Sequence, residues 1–506
     1  MTEGGSQGLF VVVAVVIFGI FVSIAYLLFD DTLKPALAGI FKDGIFQAEE
    51  SLDGTASGGE VDGSTGNVSI DISKDVIKED RYIYAPLRKD AEGSIEKEGD
   101  VWVKMQIEDN NTLTIVFSGL TKDDAKNNGT GHATMIGSLT IPDTVTVVEN
   151  GVKQTRQVAR IASGAFKNAR FTGDFIAPSL LEVGEGAFYI SSSGSTFSGK
   201  FYAPQVRKIE KNAFYNAKFT GAFHANNLET LGESAFSLSV FNDDIQMAKL
   251  TTIGNYAFFN SKFIGNFKAP ELVSIGTQAF AYSLFPEGDF IAPKLKTIGV
   301  QAFSDDTSHI ANSYGLKSKK MFQSGTFDAP MLETVGNKGL KYAYLSKKTS
   351  ETTFENLKSV GYSSFYYSSF TGNINIKNLT SVDHFSFYNA KFTGNFSYSN
   401  ITSIGHNAFG KSLFDGTFDV QNLTTIGEYA FRDSIFTGKL TINNIKTLDI
   451  GVFESSNFTE LEAEKLTSVG NAVFEKSVFT TVNAPNLKKA NVGTINGGNL
   501  RAMLPN

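Results

Sequence analysis

The pair Ala-Phe returns along this chain at a nearly fixed interval. Marking its Phe gives Phe166, Phe188, Phe214, Phe236, Phe258, Phe280 and Phe303, a degenerate place at Leu340, then Phe365, Phe387, Phe409, Phe431, Phe453 and Phe474, with a modal step of 22 residues. Leu250 to Glu271, LTTIGNYAFFNSKFIGNFKAPE, displays the whole template, L-x-x-I-G-x-x-A-F-x-x-S-x-F-x-G-x-F-x-A-P-x. Each unit holds two short runs of alternating apolar residues around GNYAFFNS, a segment too short for an ordinary helix and suited to a tight turn or a single 3₁₀ turn. A unit of this size cannot bury its own apolar face, whereas stacking it on copies of itself builds a continuous core. Equivalent rings such as Phe219, Phe263, Phe370, Phe392, Phe414 and Phe436 are therefore expected above one another inside a solenoid. Glycines after the first run, Gly232, Gly254, Gly276, Gly405 and Gly427, are expected to supply a sharp or left-handed bend. About fourteen coils at about 4.8 Å each would make a rod of about 65 Å.

Composition agrees with a reiterated template. The 506 residues include 44 Phe and 48 Gly but a single Trp, and a chain of this length would otherwise divide into several globular domains. The formal charge of -7 gives no electrostatic ground for nucleic acid as a partner. Cysteine is absent, which excludes disulfides, thiolate metal sites and thiol nucleophiles and fits an exported bacterial protein. His132, His224, His309, His384 and His406 are scattered without the close spacing of a local metal motif, so neither metal nor other cofactor is expected. Asp243-Asp244 and Asp305-Asp306 lack the spacing of a calcium loop, and no nucleophile elbow, phosphate loop or dinucleotide fingerprint occurs. An enzyme is not expected.

Leu9 to Phe29 is a run of twenty-one residues without a charge. As a helix it would extend about 31 Å, enough to cross a bilayer. No basic residue precedes it, unlike an ordinary signal peptide, although Ala36-Leu37-Ala38 offers a small-residue cleavage site. Residues 1–50 thus read as a transmembrane anchor helix followed by a short amphipathic helix, and 51–67 as a flexible Gly/Ser-rich linker. Residues 68–160 carry β-prone runs such as YIYAP, VWVKMQI and TLTIVF and read as a β-rich module capping the first coil. Residues 161–490 are the repeat solenoid and 491–506 a tail.

The run Ser138 to Phe166, SLTIPDTVTVVENGVKQTRQVARIASGAF, followed by repeated IG..AF units, resembles the BspA-like leucine-rich repeat proteins. The resemblance extends from about Thr112 to Lys489, with Phe-Thr-Gly-x-Phe in place of a leucine-rich strand and Ser where that family often has Cys. It implies surface display and adhesion, and supplies no catalytic residues. The fold class expected is mainly β: a right-handed leucine-rich-repeat-like β-solenoid of about fourteen coils with short 3₁₀ turns, plus the N-terminal transmembrane α-helix. The localisation expected is the bacterial cell membrane, single-pass, with the repeats extracellular.

Function is sought where the template breaks. Insertions at 304–325 and 337–353 carry Lys317, Lys319, Lys320, Lys338, Lys341, Lys347 and Lys348 beside Tyr314, Tyr342 and Tyr344. Insertions project from a solenoid, and lysines with tyrosines suit a protein or an anionic polymer. Columns such as Asp174, Lys200, Asp244 and Asn266 are expected to face solvent. The alternative to an adhesin is a structural subunit of a surface filament or of a secretion or conjugation apparatus, oligomerising through its N-terminal hydrophobic helix with the solenoid displayed outside.

Overall fold

The computed structural model describes residues 69–70, 76–87, 101–127, 137–191, 197–304, 327–345, 351–370, 373–392, 396–397, 400–414, 418–488 and 500–504. The chain separates into two units: Met1–Ser69 with Ala91–Gly93, and Ile70–Asp90 with Ser94–Asn506. The expected span Leu9–Phe29 and the linker 51–67 lie outside the described residues. Among the described residues no helix is long and apolar enough to cross a membrane. Every described residue except Ser69 belongs to the second unit.

That unit begins with an antiparallel sheet of Ile77–Glu79, Tyr82–Leu87, Val101–Ile107 and Leu113–Gly119. Alternation sets its inner face: Val101, Val103 and Met105 are buried while Trp102 and Lys104 are half-buried. Lys122–Asn127 is a one-turn helix over this sheet, started by a capping box in which Asp124 N donates to Thr121 Oγ1 and Thr121 N to Asp124 Oδ2, at 3.1 and 3.0 Å. Leu113–Gly119 then pairs in parallel with Val152–Ile161, whose last residues Arg160–Ile161 pair with Glu182–Val183 of the next coil. The N-terminal strands and the first coils therefore share one sheet.

Beyond Ile161 the chain is a mainly-β solenoid of about 12 turns. Each coil has a two-residue strand ending in an inward Ile, Val or Leu, a turn around the Ala-Phe pair, and one or two further short strands. Coils pair in register, as in Thr230↔Thr252↔Ser274 and Phe223↔Ile245↔Phe267. The Ile-bearing ladder breaks after Ser359–Val360 and again after Thr425–Ile426, and the turn count stands against about fourteen Ala-Phe places in the sequence. The insertions leave this register intact: Ile298 pairs with Val335 across one and Val335 with Val360 across the other.

Phenylalanines fill the inside as the 22-residue spacing demands. Phe214, Phe236, Phe258, Phe280 and Phe303 form one stack, with ring centroids 4.9–5.9 Å apart. Phe370, Phe392, Phe414, Phe436 and Phe458 form another, at 4.5–4.9 Å. Between columns the rings meet edge to face, as Phe258 meets Phe263 at 5.5 Å and 68°. Both geometries suit the aromatic quadrupole, so the columns lock each other. The consensus Ser closes a polar gap behind them: buried Ser283, Ser412 and Ser434 each donate to the carbonyl of a Phe in the preceding coil, at 2.6 Å. Ala217 and Ala390 occupy the same place without a hydroxyl. At the other corner the amides of Asn227 and Asn400 donate to Pro204 O and Lys377 O, at 2.8 and 2.7 Å.

Two expectations need correction. Gly232, Gly254, Gly276, Gly405 and Gly427 are not left-handed. A Cβ at any of them would lie 2.6–2.8 Å from backbone of the preceding coil, so close approach, not bending, demands glycine. Left-handed φ appears instead at the second and sixth residues after this glycine, on Tyr256 (φ 56°) and Asn260 (φ 52°) for example. These reversals also exclude the expected 3₁₀ turns, which require consecutive right-handed residues; none occurs among the described residues. In their place amides alternate in direction. Tyr256, Phe258 and Asn260 donate along the axis to Thr277, Ala279 and Ala281 at 2.8–2.9 Å, while Ala257 and Phe259 donate three residues back within the turn. Each strained residue thus gains a bond to the next coil.

At the C-terminal end Phe474, Phe479 and Leu487 are fully buried. The short helix Leu500–Met503 lies at the last strand, Thr481–Asn483, and Leu504 joins the core.

Candidate binding surface

The alternating turn throws the residues flanking Ala-Phe outward, and their columns form a continuous edge of the solenoid. In the coils starting at Gly336, Gly361 and Asp383 that edge is aromatic. Tyr342 and Tyr367 take the second left-handed place, with φ of 62° and 56°, and their amides donate to Tyr366 O and Tyr388 O, both at 2.8 Å. Tyr366 and Tyr388 follow each other in the neighbouring column. Their rings stack at 5.1 Å and 12°, Tyr367 lies 4.7 Å from Tyr366, and Tyr342 lies 5.7 Å from Tyr367. Tyr362 and Tyr367 are 41% and 43% exposed, bulky rings held out in solvent.

Lys341 is only 9% exposed. Its Nζ sits 5.0 Å from the Tyr342 ring centroid and 5.1 Å from that of Tyr366. A lysine expected to reach for ligand instead lies against the rings, fixing their positions by cation–π attraction. Burial, with Tyr367, Tyr342 and Tyr388 around it, pushes the Tyr366 phenol up to about 12. Tyr366 is therefore uncharged at neutral pH. A second aromatic line continues it: Tyr362 to Phe385 at 5.8 Å, Phe385 to His406 at 5.3 Å and His406 to Tyr429 at 5.8 Å, with Arg432 Cζ 5.4 Å from the Tyr429 ring.

Of the residues expected from the sequence, Lys338, Lys341 and Tyr342 are brought together on this edge. Lys338 is half-buried with φ 55° and donates its amide to Tyr362 O at 2.8 Å. Tyr344 lies in the strand Tyr344–Leu345, paired with Ser369–Phe370. Tyr314, Lys317, Lys319, Lys320, Lys347 and Lys348 lie outside the described residues. Sequence reasoning missed Tyr362, Tyr366, Tyr367 and Tyr388, although YSSFYYSSF at 362–370 and FYNAKF at 387–392 place them at the outward template positions.

The column Asp174, Lys200, Asp244, Asn266, expected to be a solvated face, is half-buried and knits coils together. Asp174 Oδ1 accepts from Lys200 N at 2.8 Å, Asp244 Oδ1 from Asn266 N at 2.9 Å, and Asn266 Oδ1 from Asp289 N at 2.9 Å. Burial raises the Asp244 carboxyl, but hydrogen bonds from Asn266 and Lys268 outweigh it and hold the group below its ordinary value. Among the described residues no cluster of three His, Asp or Glu could hold a metal ion.

Short parallel strands on successive coils, inward Ile and Phe columns and an asparagine corner define a leucine-rich-repeat solenoid. The BspA type leucine rich repeat region matches residues 159–286, 207–333, 339–449 and 380–497, with 6 copies, and the chain belongs to that family. Among solved structures it is similar to a leucine-rich repeat protein from Bacteroides ovatus, at 14% identity over 71% of this chain and 94% of that one, TM-score 0.32. It is also similar to the pneumococcal vaccine antigen PcpA, at 14% identity over 83% and 91%, TM-score 0.31, and to a leucine rich cell surface protein from Faecalibacterium prausnitzii, at 14% identity over 74% and 91%, TM-score 0.26. No curated protein matches the chain.

Proposed function

We propose that this chain is a bacterial surface protein that binds or adheres through the aromatic turn edge around its interrupted coils, held to the membrane by Leu9–Phe29. The carrying observation is the Tyr342–Tyr366–Tyr367–Tyr388 cluster with Lys341 set against it. Rigid tyrosines offer large amphipathic contact area at small entropic cost and predominate among interface anchors. Its ligand is a protein or an anionic polymer, met by these rings and by the lysines of the two insertions. The BspA-type family supports a binding or adhesion role.

The test uses the full chain expressed on cells. Membrane fractionation recovers it intact, protease added to whole cells trims the repeats, and a Tyr342→Ala, Tyr367→Ala, Tyr388→Ala variant loses attachment to host cells or matrix. Repeats protected until lysis would refute surface display, and undiminished attachment would refute the turn edge. A second reading draws on the same uncharged N-terminal run, which could pack against copies of itself as the base of a filament. Electron microscopy would then show polymers that disappear on deleting residues 1–50, and dispersed particles would remove that reading.

A further inference from the structure

The residue that follows the glycine of a coil, or Asp383 where Asp replaces it, can clasp the next coil by accepting the amide of its counterpart there. Thr277 N donates to Asn255 Oδ1 at 2.8 Å and Tyr362 N to Asn337 Oδ1 at 2.9 Å. Where His384 takes this place the acceptor is an imidazole: His406 N donates to His384 Nδ1 at 2.8 Å. An asparagine oxygen accepts at any pH, whereas Nδ1 accepts only while it carries no proton. His384 is thus the same clasp between coils with a titratable acceptor, and it is exposed to the medium.

The clasp lies on the aromatic line of the turn edge. The His384 and His406 ring centroids are 6.3 Å apart, and His406 stands 5.3 Å from Phe385 and 5.8 Å from Tyr429. His406 Nδ1 lies 4.0 Å from Glu428 Oε2, which favours the tautomer with its proton there and leaves Nε2 to accept from Asn407 Nδ2 at 2.9 Å. The titratable and charged groups around the pair come from four coils. Asp383, whose Oδ1 accepts the amide of His384 at 2.6 Å, is on the coil of His384, and Tyr362 is on the coil before it. Glu428, Tyr429 and Arg432 are on the coil after that of His406, and Arg432 pairs onward with Glu454 at 3.3 Å.

We propose that His384 and His406 make the turn edge acid-sensitive, so that it holds its ligand at neutral pH and lets go below about pH 6. The inference rests on the turn edge being the binding surface. A proton on His384 Nδ1 sets a donor against the donating amide of His406, and the ring must turn away. A proton on His406 Nε2 likewise opposes the Asn407 side-chain amide and puts a second cation 6.3 Å from the first. Both changes act on the line from Tyr362 through Phe385 and His406 to Tyr429, whose rings then leave the positions a ligand meets. The coils themselves stay joined, because Phe385 N still donates to His406 O at 3.0 Å and Phe387 N to Ala408 O at 2.8 Å. Asn255 and Asn337 make the same clasp without this response, so stacking alone does not call for histidine.

Two measurements on the full chain separate the switch from the site. In detergent, hydrogen–deuterium exchange read at single amides by mass spectrometry compares His406 with Thr277 and Tyr362, each corrected for its intrinsic rate. From about pH 7.5 to about pH 5.5 the protection of His406 should fall about ten-fold relative to the other two, and in His384→Asn it should not. On cells displaying the chain, attachment to epithelial monolayers should fall about ten-fold over the same range, and in His384→Asn the ratio between the two pH values should return to about one. Constant His406 protection overturns the inference, as does a pH ratio that His384→Asn shares with the parent. Attachment that needs the tyrosines of the turn edge yet is equal at both pH values overturns the inference alone. Attachment indifferent to the tyrosine variant, or absent in the parent, removes the turn edge as the binding surface and the inference with it.

Discussion

Phe258 and Tyr256 lie two residues apart on one turn and should respond to mutation with opposite signs. Phe258 is fully buried, stacked at 5.9 Å on Phe236 and 5.1 Å on Phe280, and edge-on to Phe241, Phe263 and Phe267 at 5.5–5.9 Å. Phe258→Ala removes the transfer energy of the ring and leaves a cavity that five neighbouring rings cannot all relax into, so the cost is expected at the upper end of about 3–5 kcal/mol. Tyr256 is 37% exposed, its ring near that of Phe259 at 5.9 Å, and its φ is 56°. A bulky residue in that conformation costs about 1–2 kcal/mol, and Tyr256→Gly relieves it. Glycine's larger unfolded-state entropy takes back about 0.5–1 kcal/mol, which leaves a net effect between zero and about 1.5 kcal/mol of stabilisation. The assay is urea denaturation followed by far-UV circular dichroism for the array and by fluorescence of Trp102, the only tryptophan, for the N-terminal sheet. Should Tyr256→Gly destabilise by more than about 1 kcal/mol while Phe258→Ala stays within that of the parent, the assignment of inward and strained positions is wrong.

Gly254→Val places a Cβ 2.7 Å from Gly232 C, and backbone cannot yield as a side chain would, so a loss of about 3 kcal/mol or more in the same denaturation assay is expected. Ser434→Ala removes the 2.6 Å donor from the Phe409 carbonyl, which keeps Ser412 N at 3.1 Å, and should cost about 1 kcal/mol, whereas Ala390→Ser is close to neutral or stabilising. The raised Tyr366 phenol means the fold prefers its protonated form. That stability is fully present below the ordinary tyrosine range near pH 10 and is lost as pH rises through about 12. Melting curves from pH 9 to 12 should accordingly fall less steeply for Tyr366→Phe than for the parent, and identical slopes would remove the burial argument. Asp244 behaves in the opposite sense: its depressed carboxyl contributes above about pH 4 and is lost on further acidification, so Asp244→Asn should flatten the acid limb of the stability profile.

The 22-residue period made the solenoid legible because every coil repeats the same inward residues, and a core built by stacking has nowhere else to put them. Phe392 against Phe370 and Phe414 is the arrangement that the spacing requires. Backbone conformation was less legible. Gly254 announces itself as a bend in a one-dimensional reading, since only the neighbouring coil reveals that its missing Cβ is needed for close approach. The residues that do reverse, Tyr256, Gln278 or Phe385, have side chains that ordinarily avoid left-handed φ, and the bond each gains belongs to a coil 22 residues away in most cases. Local propensity carries no trace of such a partner.

The same limitation shaped the reading of the site. Insertions were visible as failures of the period, and Lys338, Lys341 and Tyr342 were found for that reason. Tyr366, Tyr367 and Tyr388 were invisible because they sit in coils where the period holds, and a residue at a template position reads as scaffold. Yet an outward template position is repeated along the axis at about the spacing of strands, so tyrosines at two neighbouring positions of adjacent coils make a surface that no one of them suggests. Lys341 shows the converse: its charge and its place beside an insertion argued for ligand contact, and the rings of Tyr342 and Tyr366 enclose it. In a stacked array, recognition is a property of columns. The informative comparison therefore runs down each outward position, where the aromatic run from Tyr342 to Tyr388 appears against columns that drift.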